Sequence, residues 1–135
     1  MGLMLFNVQL VVEVRGNELI ASLLFKNNTS SKLYLDGMTL CWKNKIERNM
    51  FVITDQNNDK VFYIASIKNR EIRAEDFIKL EAGEEFESTV NVNEAYGIKR
   101  GVNYTIQYVT YNPSSYDPKD NTLIKMESNK VEIAY

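Results

Sequence analysis

FIKLEAGEEFESTVNV, residues 77–92, is rich in Glu, Lys and Ala, and on composition alone it would coil. Its spacing argues for extension. Phe86, Ser88, Val90 and Val92 share one side of an extended chain, and Glu87, Thr89, Asn91 and Asn93 share the other. A helix would scatter those apolar residues and set Gly83 in its middle, at a cost of about 1 kcal/mol relative to Ala. Ala82-Gly83 instead suits a tight turn in which Gly83 takes positive φ. The stretch reads as a short strand over Phe77–Leu80, a turn over Glu81–Glu84, and a second strand that follows.

The same period of two recurs on either side. Phe6, Val8, Leu10, Val12 and Val14 alternate with Asn7, Gln9 and Glu13, which predicts a strand with one buried face. After the turn residues Arg15-Gly16-Asn17, Leu19, Ala21, Leu23 and Phe25 continue as the second arm of a hairpin that ends at the turn cluster Asn27–Ser31. Leu33 and Leu35 open a third strand, stopped by Asp36-Gly37. Phe51–Thr54 and Val61–Ile64 flank the turn Asp55–Asp59. Tyr104–Tyr111 is a long run of β-branched and aromatic residues, and Lys130–Tyr135 closes the chain with Val131, Ile133 and Tyr135 on one face. Only Asn93-Glu94-Ala95-Tyr96-Gly97 looks helical, with Asn93 as N-cap and Gly97 as terminator. About eight short strands and one helical turn near 93–97 predict an all-β, immunoglobulin-like, two-sheet antiparallel β-sandwich, with residues 1–135 as a single domain.

Composition narrows the chemistry. The 135 residues carry a net charge of −2, with basic and acidic residues interleaved, which argues against a nucleic-acid binder. No window is apolar for long enough to span a membrane. The start, MGLMLFNVQLVVEV, has no basic leader and is broken by Asn7, Gln9 and Glu13. The sequence as it stands therefore reads as cytoplasmic, and as secreted if a leader once preceded it. Cys41 is the single cysteine, so no internal disulfide forms. With no histidine, triad hydrolysis and histidine-based zinc or iron chemistry each lose a required part. Asp55-Gln56-Asn57-Asn58-Asp59 begins like a calcium loop, but Lys60 stands where glycine is needed and Ser66 where the bidentate Glu belongs, so a hairpin turn is expected. The expectation is of no enzyme and no cofactor or metal. Cys41 reads as a buried core thiol and Trp42 as an inter-sheet core residue.

The run Glu75–Glu84 (EDFIKLEAGE), followed by Val90–Ile98 (VNVNEAYGI) and Tyr104–Tyr108 (YTIQY), resembles the immunoglobulin-like domain that precedes the catalytic domain in some deuterolysin-like, lysine-specific metalloendopeptidases. The likeness covers roughly residues 5–111 and lies in structural motifs. That family's zinc motif belongs to a different domain. The front half, with its hairpin, Asn-Thr-Ser turn and Phe51–Asp55 strand, is also similar to bacterial intracellular proteinase inhibitors of immunoglobulin-like fold. Both resemblances imply a sandwich with a protein partner, a peptidase in particular. Tyr104, at a strand start, is a candidate tyrosine corner, whose hydroxyl would bond nearby backbone.

The least ordinary segment is Asn112–Asn121, which holds both prolines of the chain. A connection at one end of a sandwich is where recognition loops gather, and Tyr with Ser and Asn gives stiff contact area plus adaptable hydrogen bonds. Tyr111, Asn112, Pro113, Ser114, Ser115, Tyr116, Asp117 and Pro118 are therefore the expected partner-binding residues. The functional expectation is a non-catalytic protein-recognition module. The alternatives are a proteinase inhibitor acting through this loop, or an immunity-like or carbohydrate-binding sandwich.

Overall fold

β1 (Phe6–Arg15) buries Phe6, Val8, Leu10 and Val12 and exposes the residues between them, as its alternation predicts. The computed structural model describes residues 6–37, 39, 41, 46, 48–65, 74–113 and 123–135. Trp42, Ser66 and Ser114–Pro118 lie outside the described residues. β1 pairs along its whole length with β2 (Glu18–Asn27), from Phe6↔Asn27 to Arg15↔Glu18. On its other side β2 pairs with β7 (Glu85–Asn91), so the first sheet has the order β1-β2-β7.

The second sheet is built on β8 (Asn103–Pro113). One edge of β8 takes β4 (Phe51–Asp55), which in turn pairs with the short β5 (Lys60–Val61). The other edge takes β9 (Leu123–Glu127) at its end and β10 (Val131–Ala134) at its start. The chain thus alternates between two antiparallel sheets that enclose one core. This is the immunoglobulin-like sandwich expected. With the two-stranded pair of β3 (Leu33–Asp36) and β6 (Phe77–Leu80), the described residues hold ten strands rather than about eight.

The opening stretch turns and extends, with Gly83 at φ +80°. Its two arms do not pair with each other. Lys26↔Glu85 ends the β2–β7 ladder and Leu33↔Leu80 begins the β3–β6 ladder, so one two-stranded ribbon bends at residues 27–32 and 81–84 and runs on. Asn27, 1% exposed, holds that corner. Its Nδ2 donates to the carbonyls of Ser31 (2.8 Å) and Leu80 (3.0 Å), and its Oδ1 accepts from the Thr29 N–H (2.9 Å) and hydroxyl (2.8 Å).

Core residues come from both inner faces: Phe6, Val8, Leu10, Leu23, Phe25, Ile53, Val90, Ile106 and Tyr108 are buried as expected, and Phe86 is partly buried against them. An aromatic series crosses the sandwich. Phe86 and Phe25 of the first sheet lead to Tyr108, then to Phe51 and Tyr96, with successive ring centroids 5.5–6.5 Å apart. Such tilted and edge-on contacts suit the ring quadrupoles. The helical turn sits slightly earlier than predicted. It is a 3-10 turn over Val92–Glu94, capped by Asn91, whose side chain accepts from the Asn93 N–H. Gly97 is not left-handed, so it does not terminate a helix. A second 3-10 turn spans Ala74–Asp76.

A candidate recognition surface

Of the expected contact residues, the structure describes Tyr111, Asn112 and Pro113. Tyr111 projects from the outer face of β8, 55% exposed. Pro113 ends the strand opposite Leu123. Asn112 is the correction: the alternation of β8 points it inward, and it is 0% exposed. Its Oδ1 accepts from the Asp36 N–H (2.8 Å) and the Thr39 hydroxyl (3.1 Å), while its Nδ2 donates to the carbonyls of Tyr34 (3.0 Å) and Pro113 (2.9 Å). The amide acts as a peptide unit would, joining β8 to β3. It has nothing left to offer a partner.

A similar stitch closes the other side of the sandwich. Asn129 accepts from the Leu10 N–H (2.8 Å) and donates to the Leu10 carbonyl (3.0 Å), next to an isolated parallel bridge between Val8 and Ser128. The register of β8 changes by one residue between β9 and β10, and the bulge so created frees Asn129 to reach β1. Asn112 thus ties the second sheet to the β3–β6 pair, and Asn129 ties it to the first sheet.

Most exposed large apolar side chains among the described residues lie on or beside the second sheet, in two places. Phe62 is 72% exposed and Ile64 67%, and Val52, Tyr111 and Leu123 are also exposed there, against Val11 and Val14 on β1 and Tyr34 on β3. Val52 lies opposite Gln107, and the β4–β5 register carried one step further sets Phe62 beside Val52. Tyr111 and Leu123 continue the outer face toward the connection after Pro113. The sequence pattern predicts a strand over Val61–Ile64 that would include Phe62 and Ile64. The ladder ends at Val61, and Ile64 instead donates its N–H to Ala95 (2.8 Å). A run apolar at every position does not say which side faces the core, so no alternation could have flagged Phe62 as exposed.

Beside this edge lies a groove of about 440 Å³. Lys60, Phe62, Ile64, Gly97, Lys99 and Val102 line it, among others. A more polar recess of about 390 Å³ lies between the β4–β5 turn and β10, lined by Gln56, Asn58, Asn103 and Glu132 among others. Asp55 borders both recesses, yet its Oδ1 already accepts from the N–H groups of Asn57 (2.8 Å) and Asp59 (3.0 Å), with Asn58 at φ +64°. That is a closed hairpin turn, as expected, and its first carboxylate is committed to backbone rather than to calcium.

Three buried tyrosines serve the core. The Tyr104 hydroxyl accepts from the Lys99 N–H (2.7 Å), the tyrosine corner anticipated. The Tyr96 hydroxyl accepts from the N–H groups of Met50 (3.1 Å) and Phe51 (3.0 Å) and donates to Asn49 (2.7 Å). Burial pushes its pKa up to about 12. Tyr108, bonded through its hydroxyl to the Thr39 carbonyl, is likewise pushed up by burial. Both phenols stay protonated as donors. Cys41 is a buried thiol, as expected, with φ +56°. Among the described residues no three His, Cys, Asp or Glu side chains gather as metal ligands, and no helix is long and apolar enough to cross a membrane.

The class is that of the immunoglobulin-like sandwiches. No protein-family model matches the chain, and no curated protein sequence matches it significantly.

Proposed function

We propose that this domain is a protein-recognition module without catalysis of its own. The observation that carries the reading is the exposure of Phe62 and Ile64, just past the end of β5, with exposed Val52 on the neighbouring strand. Exposed apolar side chains of that kind, beside a groove lined also by Lys60, Lys99 and Val102, are what protein interfaces bury. The resemblance to peptidase-associated sandwiches makes a peptidase the partner class to test first. The test is affinity capture with the intact chain and with Val52→Ser/Phe62→Ser, whose changes leave the core untouched. A partner retained by the first and lost by the second, at an equal denaturation midpoint, supports the reading. Equal retention of every partner by both proteins overturns it.

A second reading, a proteinase inhibitor working through residues 112–121, draws on Tyr111 and Leu123, exposed where the chain enters and leaves that connection. Replacing Ser115-Tyr116-Asp117 by Gly-Ser-Gly would then abolish inhibition of the captured peptidase and leave stability unchanged.

A further inference from the structure

We propose that β10 is a strap that swings off the second sheet as a unit, and that the Tyr135 hydroxyl is the latch that holds it shut. β10 is short, and among the described residues it pairs with β8 alone. Val131 and Ile133 turn toward the core and are half-buried, while Glu132 and Ala134 are exposed. Little apolar surface therefore holds the strand, and elements of that kind open at a fraction of the free energy of global unfolding. Its near end is fixed. The Ser128 N–H donates to the Tyr108 carbonyl (2.9 Å), the Ser128 hydroxyl accepts from the Tyr108 N–H (2.9 Å), and Asn129 holds Leu10. The pivot is Lys130.

The far end is held chiefly by one residue. The Tyr135 hydroxyl donates to the Asn17 carbonyl in the β1–β2 turn and accepts from Asn93 Nδ2 (2.7 Å). Asn93 Oδ1 accepts in turn from the Leu19 N–H (2.7 Å). One phenolic oxygen thus joins the strap to the first sheet and to the 3-10 turn after β7, elements with which β10 shares no ladder. The ring lies under the Arg100 guanidinium, whose carbon is 5.0 Å from its centroid. The backbone adds bonds from the Tyr135 N–H to the Val102 carbonyl (3.1 Å) and from the Gly101 N–H to the Tyr135 carbonyl (3.4 Å). Opening would carry Glu132, Ile133 and Ala134 away from the recess beside the β4–β5 turn, so the latch decides whether that recess keeps a wall.

Neighbouring amides of β8 report its two edges separately. Successive peptide groups of an antiparallel strand point to opposite neighbours. The Val109 N–H reaches the Met50 carbonyl just before β4 (2.9 Å), and the Tyr108 N–H reaches Ser128 on the other side. Thr105 and Gln107 therefore face β4, and Tyr104 and Ile106 face their β10 partners Ile133 and Val131. The test is hydrogen exchange of the ¹⁵N-labelled intact chain in low concentrations of urea, for the wild type and for Tyr135→Phe, which keeps the ring and loses the hydroxyl. In the wild type, Tyr104, Ile106, Val131 and Ile133 should exchange at least about tenfold faster than Thr105 and Gln107. Their rates should also depend far less on urea, because a strap exposes little surface when it opens. Tyr135→Phe should speed these four amides by about tenfold more without steepening that dependence. An equally steep dependence for both sets would show that β10 opens only with the whole molecule, and would overturn the strap. Equal rates at the four amides in both proteins would overturn the latch.

Discussion

Asn112 and Ser88 show how differently two buried polar side chains can weigh on one core. Asn112 is satisfied at both ends of its amide, and its removal strands the Asp36 N–H. Asn112→Ala is expected to cost about 2–4 kcal/mol, read as a lower urea midpoint. Ser88 faces the same interior, 5% exposed, and its Oγ has no partner among the described residues. Ser88→Ala should therefore leave stability equal or raise it by about 1 kcal/mol. A loss on Ser88→Ala would show that its hydroxyl does have a partner.

At the scale of elements, the bent ribbon formed by β2–β7 and β3–β6 turns on one backbone angle. A Cβ at Gly83 would meet nothing within 4 Å, so the cost of Gly83→Ala comes from its φ of +80° alone. That cost should be about 1–2 kcal/mol. Gly97→Ala, in equally open space but without positive φ, should change stability by less than about 0.5 kcal/mol. Thermal melts of the two variants separate the effects. The sequence showed that residues 77–92 turn and extend because alternation and a single glycine are local signals. It did not show that the two arms join different sheets, because partner choice is settled by long-range pairing at Asn27 and Leu33. β9 was not legible, because the alternation of Ile124 and Met126 with Lys125 and Glu127 spans only five residues directly after the proline-rich connection. Among candidate contacts, Tyr111 was legible by its place on β8. Asn112 was not, since an inward polar residue and a loop residue look alike until the strand's end is known.

The molecule as a whole should be sensitive to alkali. Tyr96 keeps its proton in the fold up to about pH 12, whereas in the unfolded chain its pKa is near 10. The folded state therefore binds more protons between these values, so stability is full below pH 10 and falls as pH rises toward 12. The Tyr96 share of that loss is about 3 kcal/mol, and Tyr108 acts in the same direction. Unfolding should coincide with the appearance of tyrosinate absorbance, and Tyr96→Phe should flatten the dependence. A midpoint unchanged between pH 9 and 12 would contradict the burial of both phenols.

The two asparagine stitches also set how the protein ages. Deamidation starts when the next residue's backbone nitrogen attacks the side-chain carbonyl carbon, loses its proton, and expels ammonia. Asn112 is followed by Pro113, whose nitrogen bears no hydrogen, so this route to a succinimide is closed at the buried stitch. Asn129 is exposed and followed by Lys130, which leaves the route open. Peptide mapping after long storage should find aspartate and isoaspartate at position 129 and intact amide at 112. The lost Nδ2 donor would release the Leu10 carbonyl, so chemical wear would begin where β1 meets the β9–β10 bulge and leave the junction of β8 with β3 whole.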